Sequence, residues 1–336
     1  MPMNKNDLRI IFFGTPEFAV ESLDAIIKAG YNVVAAVTMP DKPAGRGHKM
    51  YHSPVKEYAV THSIPLLQPV RLKDADFIEE LRSFRADLFI VIAFRMLPEA
   101  VWQMPPSGTF NLHASLLPRY RGAAPINWAV INGDIETGVT TFFLKHEIDT
   151  GDVIAQERIA ISPEDNVGDV HDRLMHLGAR LTVKTIDSIA AGNLKTIPQN
   201  NLLTAGETPT PAPKIFKETC HIDWTKNAED VHNLVRGLSP YPCAWAELFD
   251  CDNPDSAPLS TLKIQKTAII EACNLPGTVT DTVVAGKALI NVGRLFVMCG
   301  DGSYLEILRL QPSGKRPMDT ADFLRGARFP DRIRMA

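Results

Sequence analysis

The 336-residue sequence has only five cysteines, at positions 220, 243, 251, 273 and 299, and no two of them form a C-x-x-C pair. An odd count in so long a chain excludes a secreted disulfide framework, and the thiols are expected to be reduced. Long hydrophobic runs are also missing. The run from Ile10 to Phe13 and the longest apolar stretch, Leu88 to Phe94, fall far below the roughly 20 residues that span a bilayer. The chain therefore reads as cytoplasmic, with no membrane partner. A net charge of −4 lacks the overall excess of cations that marks many nucleic-acid binders. Gly14 follows the first apolar run without a G-x-G-x-x-G pattern or a Walker lysine, so neither dinucleotide nor nucleoside-triphosphate binding is supported. His48 and His52 stand at helical spacing with no evident third ligand, and no metal site is expected. The sequence shows no internal repeat.

Hydrophobic residues make up 45% of the chain and charged residues 22%, an ordinary globular balance. At roughly 150 residues per domain, the length predicts two domains. Leu8 to Phe13 reads as a buried strand. "TPEFAVESLDAIIKAG" follows as a helix, with Phe18, Leu23, Ile26 and Ile27 on one face, Pro16 in the first turn and Gly30 at the stop. "YNVVAAVT", a Gly/Pro-rich loop, helices near Pro54 to Thr61 and Asp74 to Phe84, and the strand "DLFIVIA" continue the alternation. That order predicts an α/β fold with a doubly wound, mostly parallel sheet, whose ligand crevice lies beyond the carboxyl ends of the strands. Gly14, Phe94 and His113 would all emerge there. Apolar positions 167, 170, 174, 177, 181 and 186 predict a long amphipathic helix from Asp165 to Ala191 that closes the first domain.

After it, residues 192–213 are rich in Pro, Thr, Asn and Gly and read as a surface linker. From 214 to 336, one helical segment (Ala228 to Arg236) and several short alternating runs predict a smaller β-rich domain, a barrel or sandwich, with an OB-like barrel one option. Its end is basic: seven Lys/Arg face three Asp/Glu between Arg309 and Arg334, which could meet phosphate or simply be solvated.

The densest chemistry lies in "GTFNLHASLLPRYRGAAPIN", residues 108–127. Asn111 and His113 are two apart on a strand, so they point to one side, about 7 Å apart. His113 can donate a hydrogen bond and move a proton near neutral pH, and Asn111 can donate to a developing oxyanion without titrating. A carboxylate that holds the imidazole would complete the set, and the turn "EIDTGDVI" offers Asp149 and Asp152. The plain alternative is a satisfied strand end. Ser115 lies outside a G-x-S-x-G elbow and reads as a turn-capping hydroxyl rather than a nucleophile. Arg119 and Arg121 could pair with an anionic substrate or lie solvated. Lys42, Arg46 and Lys49 in "MPDKPAGRGHKM" could reach a phosphate backbone or belong to an ordinary crossover loop.

Taken together, "NLHASLLPRYRGAAPINWAVINGDIETGVT" and "DTGD" resemble the folate-dependent formyltransferases, whose shared signature is Asn-x-His, then S-L-L-P, then Asp-x-G. "FFGTPEFAV", "DKPAGRG", "IDWTKNAEDVHNLVRGLSPYP" and "LQPSGKRPMDTADFLRG" resemble the branch that acts on charged initiator tRNA, so the similarity covers nearly the whole chain. The resemblance implies a formyltransferase domain over residues 1–191 and a tRNA-binding domain over 214–336. It implies formyl transfer from 10-formyltetrahydrofolate to the methionine amine of initiator tRNA, with Asn111, His113 and Asp149 as the catalytic trio. The folate would lie against Phe94, Arg95, Met96 and Leu97, the turn Ser115-Leu116-Leu117-Pro118, Asp149 and Asp152. The tRNA would meet Lys42, Arg46 and Lys49. A monomer is expected. A sister enzyme acting on an amino sugar or other small amine should keep the trio but lack "DKPAGRG". A catalytically idle folate- or RNA-binding module would keep the fold and fail a formyl-transfer assay.

Overall fold

In the computed structural model the described residues are 4–44, 49–204, 206, 208–253, 256–270, 283–326, 329–330 and 332–336. They form two compact units. The first comprises residues 1–125, 136–160 and 171–213, and the second comprises 126–135, 161–170 and 214–336.

The first unit is built on a seven-stranded sheet: β1 (Arg9–Gly14), β2 (Asn32–Val37), β3 (Leu66–Leu67), β4 (Leu88–Ile92), β5 (Thr109–His113), β6 (Glu136–Phe143) and β7 (Val153–Ala160), in the order β7-β6-β5-β4-β1-β2-β3. Neighbours from β5 through β3 run parallel, and β6 and β7 are antiparallel additions. The continuous apolar runs form the central strands because both faces are covered. Helices α1 (Glu17–Lys28) and α2 (Pro54–Thr61) precede α3 (Ala75–Ser83) and the single turn α4 (Glu99–Trp102). Phe77, Leu81, Leu97 and Val101 join Ile11, Phe13, Phe89 and Val91 in one core cluster, so α3 and α4 cover the face to which those strand residues point.

The helix expected from Asp165 to Ala191 is observed as α5 (Val167–Ala190). Residues 171–190 of it pack on the first unit, where Leu112 meets the bare backbone of Gly178 and the Thr185 hydroxyl bonds that of Thr141 at 2.8 Å. Residues 192–213 have structure of their own. A 3-10 turn spans Gln199–Leu202, and Pro211–Ala212 pairs in parallel with Arg121–Gly122.

In the second unit, strands β8 (Ala244–Asp250), β9 (Ser260–Ile270), β10 (Lys287–Asn291), β11 (Arg294–Met298), β12 (Tyr304–Pro312) and β13 (Ile333–Met335) lie in the order β9-β8-β13-β10-β11-β12. The β9–β12 pairing closes them into a six-stranded antiparallel barrel, the barrel rather than the sandwich. Among the described residues, closure gives each of these six strands a neighbour on both sides. Helix α6 (Ala228–Gly237) contributes Val231 and Val235 to the same core as Leu262, Leu305 and Leu310. Residues 126–135 and 161–170 also belong to this unit: Asn127 Nδ2 donates to Gly237 O at 2.8 Å, and Arg236 Nη1 donates to Asp165 O at 3.1 Å. Among the described residues no helix is long and apolar enough to cross a membrane.

Candidate active site

Sheet register decides where Asn111 and His113 point. Asn111 pairs with Val91 on one side and Phe142 on the other, and Val91 pairs with Phe13. In-register residues share a face, so Asn111 and His113 continue the face of Phe13 and Val91, at the carboxyl end of the parallel strands. Leu112 takes the opposite face and packs on Gly178. Asn111 is half-buried and His113 is 6% exposed.

The imidazole is held by a group that the sequence did not suggest. His113 Nε2 lies 2.8 Å from the carbonyl oxygen of Tyr120, and since a carbonyl can only accept, Nε2 must carry a hydrogen. Nδ1 is left facing Asp149, whose Oδ2 is 3.8 Å away. That separation suits charge attraction but is too long for a direct hydrogen bond. The same Asp149 oxygen accepts from the Gly122 amide at 3.0 Å. With both ring nitrogens protonated, His113 would present one N–H to Tyr120 and one to the carboxylate side.

Three non-glycine residues around this point have left-handed backbone: Ala93 (φ 48°), Tyr120 (φ 62°) and Asp149 (φ 55°). Such residues cost up to about 1–3 kcal/mol each, less for Asp, and persist where surrounding contacts hold them. Gly151 shows why the Asp149 turn needs glycine: a Cβ there would sit 1.6 Å from the Phe143 carbonyl oxygen. The backbone of this turn is gripped by Gln199, from the stretch expected to be a plain linker. Its Nε2 donates to Asp149 O and to Gly151 O, each at 2.8 Å. Its Oε1 accepts from Arg121 Nε at 3.0 Å and Nη2 at 2.7 Å. Burial pushes the Arg121 guanidinium below its ordinary value, while Asp149 and Glu147 pull it back up. A glutamine in a Pro-rich segment carries no sequence signal for this role. Gly122, in "YRGAAP", carried one in its residue type alone.

The residues assigned to folate fall into three places. Phe94 to Leu97 follow β4 directly, beside the strand that carries Asn111 and His113. Phe94 packs on Phe13 with ring centres 5.7 Å apart, Met96 is 72% exposed, and Leu97 is buried in the core. Arg95 stacks over Phe94 and donates from Nη1 to Val70 O at 2.9 Å, and its Nε is buried without a hydrogen-bond partner among the described residues. In the turn after β5, Ser115, Leu117 and Pro118 are buried and Leu116 is half-buried. The Ser115 hydroxyl donates to Arg119 O at 2.7 Å and so braces the turn. Thr140 Oγ1 donates to Ser115 O at 2.6 Å and accepts from Leu117 N at 3.1 Å, pinning the turn to β6. Asp152 pairs with Lys145 at 2.8 Å across the β6–β7 hairpin.

The loop of Lys42 and Lys49 is a short hairpin, Lys42–Ala44 paired with Lys49–Tyr51, where a loop was expected. Asp41 ties its neck. It lies 3.1 Å from His52 Nδ1, accepts from Gln68 Nε2 at 3.0 Å and pairs with Lys56. The bonds from Lys56, Gln68 and His52 hold the Asp41 carboxyl well below the usual carboxylate range. Lys42, paired with Tyr51, is exposed. Arg46 and Arg328 lie outside the described residues, as does the Lys49 side chain. No group of three or more His, Cys, Asp or Glu among the described residues could hold a metal ion.

Comparison with known proteins extends these observations. Residues 8–186 match the family model described as "Formyl transferase", and residues 214–328 match "Formyl transferase, C-terminal domain". The chain is 55% identical over 335 residues to a protein of Bacteroides fragilis named methionyl-tRNA formyltransferase, covering 99% of each. It is 48% identical to one of that name from Flavobacterium johnsoniae, covering 98% of this chain and 99% of the other. Among solved structures, a sugar 3N-formyltransferase, WlaRD, described in the presence of dTDP and 5-N-formyl-THF, matches with a TM-score of 0.61 at 19% identity, covering 92% of this chain and 99% of that one. HypX of Aquifex aeolicus, in complex with tetrahydrofolic acid, matches with a TM-score of 0.61 at 17% identity, over 94% of this chain and 46% of the other. Those two likenesses concern the fold. The family models and the high-identity relatives, spanning nearly every residue, establish that this chain is an enzyme of the formyl transferase family.

Proposed function

We propose that the protein transfers the formyl group of 10-formyltetrahydrofolate to the α-amino group of methionine-charged initiator tRNA, and so supports translation initiation in the cytoplasm. The observation that carries this reading is the convergence of an amide, an imidazole and a carboxylate, Asn111, His113 and Asp149, at the ends of β5 and the β6–β7 hairpin. Relatives named methionyl-tRNA formyltransferase across nearly the full length support the choice of acceptor. The donor set fits direct acyl transfer. Asn111 and His113 Nδ1–H would stabilise the negative charge that develops on the formyl oxygen as the amine attacks the formyl carbon, and Asp149 would favour the charged imidazole. When that adduct collapses, the bond from the carbon to N10 of the folate breaks, and N10 leaves with the proton that Asp149 helps move from the amine through water. No residue needs to become acylated.

The donor's flat, hydrogen-bonding ring system suits the strip after β4, where Phe94 and Met96 offer apolar surface and the buried Arg95 Nε lacks a partner among the described residues. Backbone groups of the Ser115–Pro118 turn and of the Asp149–Asp152 turn would contribute the remaining contacts. Lys42, Arg46 and Lys49 would meet the acceptor stem. The basic end of the second unit, around Lys315, Arg316, Arg325 and Arg328, would hold the body of the tRNA, so that chemistry belongs to residues 1–191 and grip to 214–336. Cys220, Cys243, Cys251 and Cys299 are free, which fits a reducing compartment. One chain carries the whole proposed trio, which fits a monomer.

The deciding experiment incubates the protein with 10-formyltetrahydrofolate and, in separate arms, methionyl initiator tRNA and a free-amine sugar. Formylated tRNA with an unreacted sugar is the expected result. Formylation of the sugar alone would overturn the choice of acceptor, and no transfer in either arm would leave a binding module. In the tRNA arm, Lys42→Ala should reduce the salt dependence of binding by roughly 0.7–0.9 log units per log unit of salt, the value of one lost phosphate contact. An unchanged salt slope would remove Lys42 from the interface.

A further inference from the structure

Gln199 is 3% exposed, an uncommon degree of burial for a long polar side chain, and both ends of its amide are engaged. The orientation of the amide follows from its partners. Asp149 O and Gly151 O can only accept, and the Arg121 guanidinium can only donate, so Nε2 must face the turn and Oε1 must face the arginine. The two partners are the two supports of one carboxylate. Asp149 O and Gly151 O flank Thr150 in the backbone that presents the Asp149 side chain. Arg121 precedes Gly122, whose amide bonds Asp149 Oδ2 at 3.0 Å. Gly122 is itself held close by Pro211–Ala212, and a Cβ on it would sit 2.5 Å from Ala212 O. With φ at 55°, Asp149 occupies a conformation that needs such support.

We propose that Gln199 is a positioning residue for formyl transfer: by bridging the Asp149–Gly151 backbone to Arg121 it fixes the Asp149 carboxylate at its place beside His113. This rests on the reading of Asp149 as part of the reacting trio. Residues 192–213 then do more than connect two domains, because one of their side chains sets the geometry of the chemistry. A displacement of about 1 Å in a reacting constellation can cost two orders of magnitude in rate, so the clasp should act on turnover and spare substrate affinity.

The test uses the full-length protein, assayed with whichever amine acceptor the wild type formylates, and three variants. Gln199→Ala removes both ends of the clasp. Gln199→Glu keeps an acceptor for Arg121 but sets a carboxylate against two carbonyls, which isolates the donor end. Asp149→Asn, alone and combined with Gln199→Ala, closes a double-mutant cycle. The expected result is a fall in kcat of about 10- to 100-fold for both Gln199 variants, with KM for each substrate within about twofold, and little further loss when Gln199→Ala is added to Asp149→Asn. Equal losses in both backgrounds, a loss confined to KM, or full activity in Gln199→Glu would overturn the proposal. A readout independent of turnover is hydrogen exchange at the Gly122 amide, which should quicken in Gln199→Ala. Unchanged exchange there would also overturn it. If the wild type transfers no formyl group at all, the functional reading fails by itself, and the Gly122 amide still decides whether the clasp holds Asp149.

Discussion

At the residue scale, the proposed chemistry depends on which hydrogen each polar atom can offer. His113 is oriented by a backbone carbonyl, and Asp149 by a backbone amide and by Gln199. These are groups whose residue identity carries no chemical signature. Asn111 and His113, in contrast, announce themselves by type and by a spacing of two on a strand. Removing one donor to a developing oxyanion typically costs ~100- to 1,000-fold in turnover. Asn111→Ala and His113→Ala should each lower the single-turnover rate by that order while leaving folate affinity in place. Rapid-quench assays beside a folate-binding titration measure both, and a near-normal rate in either variant would remove that residue from the chemistry.

At the scale of elements, two packing features invite a test. The β6–β7 hairpin turns at Gly151, where a methyl group would collide with Phe143 O at 1.6 Å. Overpacking of this kind costs typically ~1–3 kcal/mol, so Gly151→Ala should lower the unfolding midpoint and shift the turn that carries Asp149. Chemical denaturation and the formylation rate should fall together. A variant with unchanged turnover would show that the turn can move without disturbing the site. The second feature is the seam between α1 and α2, where the Tyr58 hydroxyl donates to Asp24 Oδ1 at 3.0 Å. Burial, then the Asp24 bond and its charge, push the Tyr58 phenol from 10.0 up to about 12. A raised folded value contributes stability that is fully present below pH 10 and is lost as pH climbs from 10 through about 12. Urea unfolding at pH 8 and pH 11 should therefore show a smaller alkaline loss in Tyr58→Phe than in the wild type. Equal losses would place the alkaline sensitivity elsewhere, with Tyr31 the next group to examine because burial and Asp187 raise it too.

At the scale of the whole molecule, the two compact units are not two consecutive stretches of chain. Residues 126–135 and 161–170 belong with 214–336. Ile131 packs against the barrel-unit core, and Gly168 N donates to Ser239 O at 3.3 Å. A fragment ending at Pro213 would retain both segments but lack what they pack against. It should unfold at lower temperature than the full chain and expose apolar surface to a hydrophobic dye. It should also lose tRNA affinity, if the basic end of the barrel unit provides the grip. A fragment with full-length thermal stability and no dye binding would show that residues 126–135 and 161–170 can be accommodated without the barrel.

The sequence by itself determined the elements. Apolar runs became the parallel strands, and the 3.6-residue periodicity became α1, α3, α5 and α6, because burial of a face selects those patterns locally. It also determined which residue types lie near the carboxyl ends of the strands, since a strand's direction decides where Phe94 and His113 emerge. Short elements escaped it. β11 and β13 are too brief to show an alternation, and the pairing of Lys42–Ala44 with Lys49–Tyr51 lay hidden among prolines and glycines. Tertiary structure alone decided that β9 meets β12 to close a barrel, that Tyr120 lends His113 its carbonyl, and that Gln199 reaches back 50 residues to the Asp149 turn. The physical reason is the same in each case. These are contacts between residues distant along the chain, made by backbone groups that every residue carries or by a common amide, so nothing in the local pattern distinguishes the residues that make them from those that do not.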